Sequence, residues 1–364
     1  MRLGYSFWGF LGDFKLDRNG VEVSSPDGNA TYSWSIIWAA QQRGWEVFAM
    51  QEDRDVPGYM IYDYRNFSSF CGKERLGAWL QVGDTLGRDL PELDVLLLEW
   101  RWPIAGRNCG IDIRESDYQP DLDRQLQLLR HYSGTGTKII IWDLDHKLTA
   151  EDELAWCPAA IFETSVLPRR LTQGRVRVEP PVPVSRLHDL PTLPQDPARK
   201  LVYIGNRYER DDVISEYIVP VSDRFPQQVE FWGGWTKEPT LSECRRMWPN
   251  IGYHGRITTR DFRRVYSDAV ACPLLAKRSY LETGFVTPRI WEALMFGTIP
   301  IGLGAHHGIN EYVLMQVEDA VELGEMVLEL SRAEPEVRRA LRSRSIEHIG
   351  HMDVSHFLDR IEEV

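Results

Sequence analysis

Cysteine is scarce and follows no pattern. Cys71, Cys109, Cys157, Cys244 and Cys272 are odd in number, scattered and without CxxC spacing, which argues against a structural zinc and for reduced thiols in a cytoplasm. Long apolar runs are missing too. None approaches a membrane span, and Met1 to Phe10 lacks the basic start and apolar core of a signal peptide, so a cytoplasmic protein with no membrane partner is expected. Positive charge is in deficit: the formal net charge is −12. That removes any general basic footprint for nucleic acid, and contact with DNA would need a local basic patch. No GxxxxGK[ST] stretch is present, and the loop after the first strand offers only Gly9-Phe-Leu-Gly12 in a long connection. Both a P-loop and a dinucleotide fingerprint are thereby excluded. No Ser-His-Asp or Cys-His spacing suggests a nucleophile, and His146, His306 and His307 have no partners at ligand spacing. They read as structural or surface residues.

What is present is a soluble globular composition, 43% hydrophobic and 26% charged, over 364 residues, enough for two domains of ordinary size. Arg2 to Phe7 reads as a strand, about Ala30 to Arg43 as a helix, and Trp45 to Met50 as a second strand. DVLLLE (94–99) and KIIIW (138–142) are buried strands, with Leu122 to Tyr132 helical between them. This alternation is the opening of a Rossmann-like half. Six prolines between Pro180 and Pro197 then read as a linker. A second strand–turn–helix series begins at Lys200 and ends in an amphipathic stretch, Val354 to Ile361. The expected fold class is α/β, with two Rossmann-like domains facing a cleft. Residues 1–185 form the first, 198–345 the second, and 346–364 a terminal helix that crosses back. The linker and this helix suggest halves that close on a ligand.

The cleft is where chemistry is expected. TGFVTPRIWEALMFGTIPIG (283–302) reads as loop, helix and buried strand, with Thr287 as N-cap and Pro288 in the first turn. Arg289 and Glu292, three apart, share one face. An arginine at a helix N-terminus makes an anion clamp, and a glutamate one turn on accepts bonds from a diol; an ordinary Arg–Glu pair would read the same. In the second half Arg207, Arg210, Arg256 and Arg289 all fall at strand-to-helix turns beside glycines, which points to an anionic ligand. In the first half Glu99, Asp143 and Asp145 sit at or just beyond strand ends, where open sheets place chemistry. Strand alternation would put Asp143 and Asp145 on one side. Trp8, Trp100, Trp102 and Trp142 stand near the same ends, suited to stacking or to the core.

VYIGNRYER (202–210), QVEFWGG (228–234), YHGRITTRDF (253–262) and FVTPRIWEALMFGTIPI (285–301), with MRLGYSFWG (1–9) and KIIIWDLDHKL (138–148), resemble the GT-B glycosyltransferases. The set is similar, more narrowly, to bacteriophage DNA β-glucosyltransferases, and also to the broader CgeB-like group. The resemblance implies an inverting transfer of sugar from a UDP-sugar to a hydroxymethylated pyrimidine in double-stranded DNA. The CgeB-like group would instead imply a protein, glycan or small-molecule acceptor. It further implies no tightly bound cofactor, a divalent ion (Mg2+ or Mn2+) assisting product release, and a monomer. Carried onto this chain, Gly9, Gly205, Asn206, Arg207, Arg210, Thr287 and Arg289 would line the donor site and Glu292 would take the ribose. Backbone at Arg256 and Ile257 would meet the uracil. Asp145 would be the base, with Asp143 and Glu99 as the alternative acid/base candidates.

Overall fold

The structure is a computed structural model that describes residues 1–6, 28–50, 90–100, 119–167, 174–187, 197, 199–257 and 259–364. Strands β1 (Arg2–Ser6), β2 (Glu46–Ala49), β3 (Val95–Glu99), β4 (Lys138–Trp142), β5 (Ala160–Glu163) and β6 (Arg175–Arg177) form one sheet in the order β2-β1-β3-β4-β5-β6. Strands β7 (Arg199–Ile204), β8 (Val229–Trp232), β9 (Ile251–His254), β10 (Ala269–Pro273), β11 (Ile299–Leu303) and β12 (Met315–Val317) form a second, β12-β11-β10-β7-β8-β9. Every described pairing within the sheets is parallel. Central strands of such sheets are covered on both faces, which is why VLLLE and KIIIW are continuous apolar runs rather than alternating ones. Leu97 stands opposite Ile140, and both are fully buried.

The helices that position the site follow in chain order: α1 (Gly28–Gln42), α2 (Gln119–Tyr132), α3 (Ala150–Trp156) and α4 (Val184–Leu187). After β7 a continuous helix spans 211–224 (α5), with a π-helical turn over Ile214–Ile218. Then come α6 (Thr240–Met247), α7 (Thr259–Ser267), α8 (Arg278–Thr283), α9 (Arg289–Phe296), α10 (Ala320–Arg332), α11 (Pro335–His348) and α12 (Val354–Glu363). No helix among the described residues is long and apolar enough to cross a membrane.

The last helix returns to the first sheet, as expected. Val354, Phe357, Leu358 and Ile361 make its buried stripe at i, i+3, i+4 and i+7. Phe357 packs on Trp142 and Phe162, ring centroids 4.9 and 5.6 Å away, and burial of each such side chain contributes roughly 1.5–3 kcal/mol. Arg43 of the turn after α1 donates to the Ser355 carbonyl and to Asp359 at 2.8 and 2.7 Å.

The first part of the proline stretch is packed into the molecule, while Pro191 and Pro194 lie outside the described residues. Pro180, Pro181 and Pro183 are buried, and Val182 between them donates to the Met352 carbonyl and accepts from the Val354 amide. Proline has no N–H to satisfy, so where three of them cross the interior only Val182 brings a backbone donor that must be paired. The two chain crossings are thus bonded to each other. One apolar cluster joins the halves, with Trp142, Phe162 and Val182 from the first and Phe285, Ile290 and Trp291 from the second.

Candidate active site

In the second sheet the order of connection reverses between β7 and β10, and ligands of open α/β sheets gather at that crevice, beyond the strand carboxyl ends. The helix α9 starts there. Pro288 is its N-cap, with no side-chain bond, so Thr287 does not cap it; Gly297 closes it in the left-handed region at φ 103°. The proline ring already holds helical φ, which moves the start one residue on. Arg289 is therefore the first helical residue. Its Nε donates to the Ile204 carbonyl at 2.6 Å, and its guanidinium lies 5.1 Å from the Tyr203 ring centroid. A Cβ at Gly205 would stand 2.6 Å from an Arg289 terminal nitrogen, so the guanidinium lies directly on the glycine turn that ends β7. Glu292, one turn on, is buried.

The turns around Arg289 interlock. The Asn206 side chain accepts from Gly234 at 2.9 Å, and Trp235 Nε1 donates to the Gly205 carbonyl at 2.6 Å. Gly233, at φ 144°, presses so close to the Gly205 carbonyl that no side chain fits. Arg256 is exposed and Ile257 buried just beyond β9. The other two arginines are otherwise engaged. Arg207 pairs through Nε with Asp211 at 2.8 Å, also binds Glu243, and lies 5.8 Å from the Trp248 ring. Arg210 is buried and donates to the Tyr208, Asn206 and Leu275 carbonyls. A cavity of about 740 Å³ beside them is lined by Arg207, Arg278 and four carboxylates. Both of its arginines are paired, Arg278 with Asp212 at 2.5 Å, so it suits a diphosphate less than the Gly205 turn does.

Across the cleft, β4 ends at Trp142 and the chain turns at once, with His146 left-handed at φ 57°. Strand alternation therefore does not reach Asp145, and the two aspartates part company. Asp143 is fully buried: Oδ1 accepts from the Lys147 and Leu148 amides at 2.7 and 3.0 Å, and Oδ2 binds Arg175 at 3.1 Å. Asp145 is only partly buried and accepts from the Tyr280 hydroxyl, on α8 of the other half, at 2.6 Å. Glu99 is buried at the end of β3. Gly9, Trp8 and Trp102 lie outside the described residues. Trp100 and Trp142 are fully buried and belong to the core.

Sequence spacing did not show the cluster behind Asp145. Arg175 binds Glu163 at 2.7 Å as well as Asp143. His146 Nε2 lies 2.8 Å from Ser165 Oγ and 3.2 Å from Glu163. A serine, a histidine and a glutamate do meet here, but Ser165 is fully buried and donates to Glu163, so this is scaffolding and no nucleophile. Because Asp143 and Glu163 have no exposure, Arg175→Met would take from two buried carboxylates the guanidinium they share. A loss of about 3–5 kcal/mol in urea unfolding is expected.

The chain matches no protein-family model and no curated protein. Solved structures do match. An α-glucosyltransferase in complex with UDP and a 13-mer DNA containing a central A:G mismatch superposes with a TM-score of 0.67 at 12% identity, covering 100% of this chain and 99% of that one. T4 phage β-glucosyltransferase gives 0.59 at 13%, with 100% and 99% covered. AviGT4, a glycosyltransferase involved in avilamycin A biosynthesis, gives 0.56 at 13%, with 100% and 96% covered. The fold is GT-B. Both halves and the returning helix of that fold are present, as the resemblance implied. Among the described residues no three His, Cys, Asp or Glu side chains gather as a metal site.

One buried group in the turn after β11 reports on acidity. His306 donates through Nε2 to the Phe285 carbonyl at 3.0 Å, and burial pushes it down to about 4. The unfolded chain takes up that proton near pH 6.5, whereas the folded chain resists until about 4. Stability should thus be unaffected by His306 above pH 6.5 and fall by about 3 kcal/mol as pH drops to 4. Urea unfolding of His306→Gln at pH 7.5 and 4.5 should show a smaller acid loss than the wild-type chain.

Proposed function

We propose that the chain is an inverting glycosyltransferase that moves a sugar from a UDP-sugar to the hydroxymethyl group of a modified pyrimidine in DNA. The observation that carries this reading is the convergence of two elements on one cleft. Arg289 sits on the Gly205 turn with Glu292 behind it, and Asp145 reaches from the opposite sheet to Tyr280. The first supplies charge where a nucleotide diphosphate would leave, the second a carboxylate to accept a hydroxyl proton. Gly205, Asn206 and the backbone near Arg256 and Ile257 complete a donor site at the carboxyl ends of β7 and β9. Residues 1–185 would then hold the acceptor, 198–345 the donor, and 346–364 would brace the first domain. The fold neighbours include one α- and one β-glucosyltransferase, so inversion rests on Asp145 acting as base with no enzyme nucleophile.

A non-DNA acceptor is the second reading, favoured by the net charge of −12 and by the likeness to AviGT4. The deciding experiment offers UDP-glucose and other UDP-sugars with hydroxymethylcytosine DNA, hydroxymethyluracil DNA and unmodified DNA. Mass spectrometry follows the sugar, and NMR reads the anomeric configuration of the product. Transfer confined to hydroxymethylated DNA supports the proposal. UDP-sugar turnover without DNA transfer would leave the second reading in possession.

A further inference from the structure

We propose that Tyr280 is a positioning residue for Asp145, its phenol held by one half of the molecule so as to aim and keep ionised the carboxylate carried by the other. This rests on the reading of Asp145 as the base. An ionised carboxylate only accepts, so in the 2.6 Å contact the phenol donates. Such a charge-assisted bond favours the ionised form.

Both ends of the bond are held. The Tyr280 ring packs on Phe285 with centroids 4.3 Å apart, and the Lys277 ammonium lies 4.1 Å from the Tyr280 ring centroid. Phe285 in turn is bridged to Ser165 and touched edge-on by His146, 5.7 Å away. Asp145 is thus fixed from its own turn and from α8 through the same aromatic contact. The wedge behind it is tight: Leu167 donates to the Thr283 carbonyl at 3.0 Å, and Gly284, at φ 70°, leaves no room for a side chain against Val166.

The charged and titratable groups around Asp145 come from three places. His146 and Lys147 stand on its own turn, Lys277 and Tyr280 at α8, and Tyr208 with Glu209 on the loop after β7. Burial lowers the Lys277 pKa and Asp145 opposes that shift, so the two groups sense each other. In the step itself, the acceptor hydroxyl oxygen forms a bond to the anomeric carbon. The bond from that carbon to the diphosphate oxygen breaks, and its electron pair leaves with the nucleotide. The hydroxyl proton passes to Asp145. Tyr280 keeps its own proton throughout.

Tyr280→Phe removes one oxygen and leaves the ring packing. With UDP-glucose and a hydroxymethylated duplex, the acid limb of kcat/KM should move up by about one pH unit. The sign follows from the loss of a donor to the ionised form: the base then holds its proton to higher pH. Well below both midpoints kcat/KM should therefore drop about tenfold relative to the wild-type chain, with KM for UDP-glucose within twofold. Carbon-13 titration of the Asp145 carboxyl, read without turnover, should show the same rise in midpoint. If either the midpoint or the acid limb stays in place, the inference is overturned. If the wild-type chain transfers no sugar to any acceptor while the midpoint moves, the proposed function falls, and the catalytic role of Tyr280 with it.

Discussion

Replacing Arg289 with alanine is expected to weaken UDP-glucose binding by about 30- to 1,000-fold, as read by calorimetry, with the fold retained. That is the loss of roughly 2–4 kcal/mol expected for a charge-assisted phosphate contact in a sheltered site. Arg289 stands out among the four arginines because of what the others already hold. Arg207 is shared by Asp211 and Glu243, and Arg210 is spent on backbone carbonyls inside the turn. Arg256 is exposed. The Arg289 guanidinium is anchored by one nitrogen to the Ile204 carbonyl and lies against the bare Cα of Gly205. Burial opposes its charge, but the buried Glu292 beside it offsets that cost, and the group stays firmly protonated. Arg289→Lys should fall between wild type and alanine, since an ammonium keeps the charge but not the planar fork. Arg207→Ala should cost less than Arg289→Ala, because any contact of Arg207 with phosphate must first break two ion pairs. Equal donor affinity in Arg289→Ala and wild type, at unchanged melting temperature, would remove the phosphate clamp from this position.

The two sheets were legible because buried parallel strands announce themselves. KIIIW and VLLLE are uninterrupted apolar runs, and glycines or acidic residues mark where several strands stop. The Arg289–Glu292 pair was legible for a local reason, since both lie within one turn of one helix. Asp143 and Asp145 were not separable, because their difference is made by a left-handed residue and by partners 32 and 135 positions away. A buried Arg175 and a phenol from the opposite half carry no signal in local spacing. The packing of the first prolines was hidden for a related reason. A run rich in Pro reads as a solvated spacer, yet Pro180, Pro181 and Pro183 are buried. Which of these a proline run becomes depends on the chain it crosses, here residues 352–354.

Asp145→Asn is expected to slow sugar transfer by about 10²- to 10⁴-fold at saturating donor, the range for loss of a positioned general base. UDP-glucose affinity should barely change, because the carboxylate lies on the half opposite Arg289. A hydroxymethyl group is a weak nucleophile at neutral pH, so removing its proton as the bond to the sugar forms lowers the barrier directly. The competing carboxylates fail on access rather than on chemistry. Asp143 has no exposure, and its oxygens are taken by two amides and Arg175. Asp143→Asn should therefore act through stability: weakening the bond to Arg175 lowers the melting temperature, while residual folded enzyme keeps most of its turnover. Glu99 is buried at the end of β3, so Glu99→Gln should likewise leave kcat within a few-fold. Asp145 alone of the three is only partly buried and faces the donor half, through Tyr280. Single-turnover transfer by the three variants, each checked for folding by circular dichroism, separates these readings. Near-wild-type turnover in Asp145→Asn, with either of the others inactive and folded, would move the base to that residue. It would also turn the Tyr280 contact into a purely structural tie between the halves.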